Sequence, residues 1–193
     1  MKGVNTLILH LKEFIKSIAA GSAIAIGTSI YLALGGWIGA VFFAVGLYLI
    51  LWFKFNLYTG KVGYIKSIKD TPNLFAIFIG NLIGCCLIFI LLPSAAAATI
   101  VATKLSTSLW LVLIKAIICG ILIYAAVEQY KQGKEYAPAL AVPAFILCGA
   151  EHSIADLCFL MAAGVFNLEA IIFILVVAIG NGIGSLLTRM IAT

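Results

Sequence analysis

Glu151-His152-Ser153, followed by Asp156, places an imidazole and two carboxylates within six residues of an otherwise apolar stretch. Histidine is the side chain whose ordinary pKa lies nearest neutrality, so His152 is suited to exchanging a proton with a weak acid. An ionisable group inside lipid is costly and is by default a functional candidate; the alternative is a core histidine satisfied by a neighbouring hydroxyl. Glu151 is adjacent to His152 and five residues from Asp156, so these side chains do not share one face of a regular helix. Glu151 is therefore expected to fix a loop by accepting backbone N–H groups. Lys104, an isolated cation ahead of the apolar stretch that begins at Leu109, either gathers anions at a pore mouth or snorkels to an interface. His152 and Asp156 have the spacing of two metal ligands on one helical turn. No third ligand accompanies them, and neither a metal nor another cofactor is expected. An intramembrane enzyme built on Glu151, His152 and Asp156 is the weakest reading, and no nucleophile elbow supports a serine hydrolase.

The elements that must position these residues follow from composition. Of 193 residues, 64% are hydrophobic and 10% charged, with a mean hydropathy of +1.22. That balance belongs in a bilayer and excludes a soluble enzyme. A span takes about 20 apolar residues, and six such stretches run from about Ile18 to Leu34, Ile38 to Leu57, Leu74 to Leu92, Leu109 to Tyr130, Tyr136 to Val165 and Ala170 to Leu187. A single all-α transmembrane domain over residues 1–193 is expected. The charge of +5 marks topology and not nucleic-acid binding, because most basic residues sit at the ends of apolar stretches. Lys2, Lys12, Lys16, Lys61, Lys66, Lys69, Lys131, Lys134 and Arg189 fall on one side and Lys104 on the other, which puts both termini in the cytoplasm. The amphiphilic N-terminal segment with His10 rests at the interface and does not read as a cleaved signal peptide. Lys115 is expected to pack at a helix interface or snorkel, while Lys54 has no evident place. Cys85, Cys86, Cys119, Cys148 and Cys158 lie in apolar runs without metal-type spacing and are expected to be buried thiols.

Two stretches are interrupted. The second carries Lys54, Asn56 and Thr59-Gly60, and the fifth carries Pro138, Pro143 and the segment 149–156. Non-helical backbone at membrane depth is tolerated only where protein or a water-filled cavity meets it. Interruptions at the second of three positions in each half predict a three-helix unit used twice, about 15–92 and 105–190, with the second copy inverted. The matching runs Ile79-Gly80-Asn81-Leu82-Ile83-Gly84 and Ile179-Gly180-Asn181-Gly182-Ile183-Gly184 agree. The second run superficially has the look of a phosphate loop, but it lies in an apolar span, where glycines serve close helix packing.

Gly149-Ala150-Glu151-His152-Ser153-Ile154-Ala155-Asp156 resembles the G-x-E-H-S-x-A-N segment of the formate/nitrite transporter family, and Leu57-Tyr58-Thr59-Gly60 is similar to that family's L-F-T-G loop. Together with the paired I-G-N-x-I-G runs, the likeness covers nearly the whole chain. The resemblance implies an aquaporin-like protomer of six transmembrane helices, with helices 2 and 5 broken, assembled as a homopentamer with one pathway per protomer. It implies that His152 is the central pore histidine, Thr59 its hydroxyl partner and Lys104 the vestibule lysine. By the same likeness Phe43, Leu47 and Phe145 form one hydrophobic constriction and Leu57 and Tyr58 the other, with Glu151, Ser153, Asp156, Asn81 and Asn181 in support. The sequence departs from the family at Asp156, where Asn is usual, at Tyr58, where Phe is usual, and at Gly120, which replaces an Asn; Lys54 stands where a small residue is usual.

The function expected is a channel-like, proton-linked transporter of a small monovalent weak-acid anion of the formate, nitrite or hydrosulfide class across the cytoplasmic membrane. A bare anion crossing a hydrophobic constriction is heavily disfavoured by desolvation. Lys104 gathers the anion, a proton arrives directly or through His152, and the neutral acid passes. An aquaporin-like channel for neutral small solutes is the alternative.

Overall fold

A computed structural model describes residues 2–192, with side chains at 7–67, 69–71 and 73–192; the side chain of Lys2 lies outside the described residues. Among the described residues nine α-helices run in the order α1 (Lys2–Leu34), α2 (Gly36–Phe53), α3 (Tyr58–Lys61), α4 (Thr71–Leu91), α5 (Ala97–Leu105), α6 (Leu109–Lys131), α7 (Ala137–Leu147), α8 (Ser153–Ala163) and α9 (Leu168–Ala192). Short 3-10 turns at Val62–Tyr64 and Ile68–Asp70 join α3 to α4. Among the described residues there is no strand.

Among the described residues five helical segments are long and apolar enough to cross a membrane: Leu7–Leu34, Gly36–Phe53, Asn73–Leu91, Leu109–Lys131 and Leu168–Ala192. The fifth apolar stretch of the sequence is not among them. It forms α7 and α8, 11 residues each, and a helix of that length reaches only about 16 Å. The segment 93–108, between the third and fourth apolar stretches, contains α5. Its alanines are strong helix formers although they add little hydropathy.

The ends of α2 and α7 are built alike. Lys54 takes a left-handed conformation (φ 54°, ψ 44°) after α2, and the Phe55 N–H reaches back to the Ile50 carbonyl at 2.9 Å. After α7, Gly149 has φ 71° and the Ala150 N–H reaches the Phe145 carbonyl at 2.9 Å. Helix hydrogen bonding is thus closed off on itself before each extended segment. Lys54, without an evident place in the sequence, is this terminating residue, at a conformation that glycine adopts more cheaply.

Helix α1 packs along α4, and α6 along α9, at distances only glycine permits. A Cβ at Gly21 would collide with the Asn81 backbone, and one at Gly120 with the Asn181 backbone. A larger side chain at Gly120 would drive α6 away from α9. The interior holds polar groups while the exterior is apolar. Asn81, Asn181, Ser153 and Ser185 are fully enclosed, whereas Trp37, Trp110, Ile90 and Leu91 are exposed. An apolar exterior around a polar interior suits lipid and not water.

Candidate functional site

Two asparagines hold the extended segments. The Asn81 amide donates to the Ser17 and Asn56 carbonyls at 2.7 and 2.9 Å, and its oxygen accepts the Tyr58 N–H at 2.9 Å. The Asn181 amide donates to the Ala116 and Glu151 carbonyls at 2.9 and 2.8 Å, and its oxygen accepts the Ser153 N–H at 2.9 Å. Each Asn replaces the backbone partners lost where the chain leaves helical geometry, an obligation that cannot go unmet away from water.

The two segments deliver Thr59 and His152 to each other. Thr59 Oγ1 and His152 Nε2 are 2.9 Å apart, with both residues buried. His152 also caps α8, its Nδ1 accepting the Ala155 N–H at 3.1 Å. A neutral imidazole has one donor and one acceptor nitrogen. The cap therefore assigns the proton to Nε2, which donates to Thr59. Both ring nitrogens are engaged, so His152 has none left over for a metal shared with Asp156.

The Phe145 ring stacks on His152 with centroids 5.5 Å apart, and Phe43 meets Phe145 edge-on at 6.1 Å. Phe43, Phe145 and His152 line a cavity of about 300 Å³, together with Lys104, Glu151 and Asp156. Leu47 and Leu57 line a second cavity of about 560 Å³ at the opposite end, with Lys54, Lys61 and Lys131 around it. Leu47 therefore stands with Leu57 and not, as expected, with Phe43. Tyr58 does not line that cavity; its hydroxyl donates to the Ala178 carbonyl at 3.1 Å and its ring meets Phe78.

Lys104 lines the cavity of Phe43 and Phe145 and does not stand alone there. Carried on α5, it pairs with Glu151 and with Asp156 Oδ1, the latter at 2.8 Å, and lies 5.6 Å from the Phe159 ring centroid. Glu151 thus uses its carboxylate on a lysine and does not fix the loop through backbone N–H groups; its own N–H donates to the Lys115 carbonyl at 3.4 Å. The extended segment 150–152 removes the helical spacing that would hold Glu151 and Asp156 apart. Asp156 Oδ2 and Ser153 Oγ are buried without a partner. Lys115 lines the same cavity, a role whose only sequence signal was a cation within an apolar helix. Cys85, Cys119 and Cys158 are buried, but Cys86 is partly exposed and Cys148, just past the end of α7, is exposed.

These elements define an all-helical integral membrane protein with a channel fold. The model of the formate/nitrite transporter family matches residues 7–193, and the chain belongs to that family. A solved pentameric formate channel with formate bound is similar at a TM-score of 0.83 and 19% identity, over 94% of this chain and 95% of that one. A solved ion channel described as of the FNT family is similar at 0.84 and 20%, over 97% of this chain and 92% of that one. No curated protein matches by sequence.

Proposed function

We propose that the chain is a channel-like, proton-linked transporter of a small monovalent weak-acid anion of the formate, nitrite or hydrosulfide class in the cytoplasmic membrane. Residues 1–193 act as one transport domain of six crossings, two inverted three-helix units of about 15–92 and 105–190. The fifth crossing is made by α7 and α8 end to end, as the second is by α2 and the segment through α3. The corresponding bonds of Asn81 and Asn181 support this repeat. The excess of lysine around the larger cavity supports a cytoplasmic position for that end and for both termini. The pentameric assembly of the similar formate channel supports a homopentamer.

The observation that carries the reading is the 2.9 Å contact between Thr59 and His152, two buried polar residues delivered to each other by the two extended segments. Phe43 and Phe145 narrow the path on the Lys104 side and Leu47 and Leu57 on the other. An anion drawn in by Lys104 and Lys115 crosses these rings at least cost as the neutral acid. His152 offers the passing acid a hydrogen bond from Nε2 in exchange for the one to Thr59, and an anion protonated before it reaches the rings leaves toward the lysine-lined cavity. Gradients set the direction.

Flux in proteoliposomes tests this with formate, nitrite, hydrosulfide, acetate, lactate and glycerol. One or more of the weak acids should move faster than through empty liposomes and glycerol should not; the reverse pattern defines a neutral-solute channel. Asparagine is a good helix N-cap, so His152→Asn should remain folded while altering the pH dependence or coupling of flux. Identical behaviour of wild type and variant between about pH 5 and about pH 8 would remove His152 from the mechanism.

A further inference from the structure

We propose that Asp156 is the proton-holding group of the Lys104 cavity: when its carboxyl carries a proton, Lys104 is released from one of two carboxylates and binds the incoming weak-acid anion. The inference rests on the transport reading above and gives its proton a location other than His152, whose Nδ1 lone pair is already committed to capping α8.

The geometry has three parts. One ammonium serves two carboxylates, with Lys104 paired to Asp156 Oδ1 at 2.8 Å and to Glu151. Asp156 is only 1% exposed, and its second oxygen, Oδ2, meets no donor. Neither a donor nor an acceptor meets Oδ2, and a neutral carboxyl is enclosed there at less cost than an ionised one. Ser153 Oγ, a second buried oxygen without a partner among the described residues, belongs to the same turn of α8.

Charge balance supplies the coupling. The charged or protonatable groups facing Asp156 across the cavity are Lys104 from α5, Lys115 from α6, and Glu151 and His152 from the extended segment. Cys119 of α6, Cys158 on its own helix with Cys85 of α4 beyond it, and Tyr31 of α1 complete the surroundings. With both carboxylates ionised and His152 neutral, the two lysines are cancelled. One proton on Asp156 leaves a net positive cavity, and an anion restores neutrality. Proton and anion therefore bind as a pair, and release of either favours release of the other. The family's usual Asn at this position cannot ionise, so the property belongs to this chain's own departure.

The test is the apparent KM for formate against pH in proteoliposomes of wild type, Asp156→Asn and Asp156→Glu. In wild type the KM should fall as pH falls, by up to about tenfold per pH unit beyond the change due to formate's own ionisation, the ceiling for one linked proton. Asp156→Asn should hold a low KM with that extra slope gone, and Asp156→Glu should restore the slope. A variant Asn protein with the wild-type slope, or with a raised KM, overturns the proposal. Should Asp156→Asn fail to assemble, formate binding to the wild-type protein in buffers of differing ionisation enthalpy decides the matter. Proton uptake with the anion is expected, and its absence overturns the proposal. If the wild type moves no weak acid at all, the transport reading itself has failed, which is distinct from flux that persists with an unaltered slope in the Asn variant.

Discussion

His152 does two jobs with one ring. Its Nδ1 ends a helix and its Nε2 meets a hydroxyl from another part of the chain, so its orientation and tautomer are set before any solute arrives. Thr59→Val keeps the shape of the threonine but removes that hydroxyl, leaving Nε2–H enclosed without an acceptor. A buried orphan of this kind costs about 1–3 kcal/mol, so flux of the transported acid should fall about tenfold or more while Thr59→Ser stays near wild type. Equal flux in both variants would show that the hydroxyl only fills space. At this scale the sequence was informative about residue types and silent about pairing. His152, Thr59 and Lys104 stand out as polar groups in apolar surroundings, but Glu151 and Asp156 sharing Lys104 cannot be foreseen from helical spacing. The extended backbone at 150–152 is what swings Glu151 toward α5.

Elements are held where they are by amides more than by side-chain volume. Asn181 replaces three backbone partners at the start of α8, and Asn181→Ala would leave an N–H and two carbonyls enclosed. At about 1 kcal/mol or more for each orphan, the variant should unfold in detergent at a clearly lower temperature and lose flux together with stability. Asn81→Ala should behave in parallel through Tyr58, Ser17 and Asn56. An unchanged melting temperature in either would mean that water reaches those carbonyls. The repeated I-G-N-x-I-G runs made both asparagines visible in the sequence, since the glycines that allow close packing mark the same helix face. Helix α5 was hidden because Pro93, Ser94 and Ser106-Thr107-Ser108 punctuate a run too short and too weakly apolar to be read as a span. Packing of α5 against α8 is what brings Lys104 to the cavity.

On the scale of the whole molecule, the exterior carries many exposed apolar side chains, with Trp37, Trp52 and Trp110 near helix ends, where amphipathic rings favour the lipid interface. Part of that surface should be covered by identical neighbours. Native mass measurement in mild detergent should find five copies of the 20.5 kDa chain, and a monomer active in liposomes would rule out the proposed assembly. Membrane character, the number of apolar stretches, their interruptions and the polar residues within them were determined by the sequence alone, because hydropathy is a property of each residue and the cost of burying a charge in lipid does not depend on neighbours far along the chain. Only the tertiary structure decided that Leu47 joins Leu57, that Tyr58 turns to Ala178, and that one lysine answers two carboxylates. Those outcomes depend on distances between helices far apart in sequence, set by which glycine faces which backbone, and no local pattern of residues encodes such a distance.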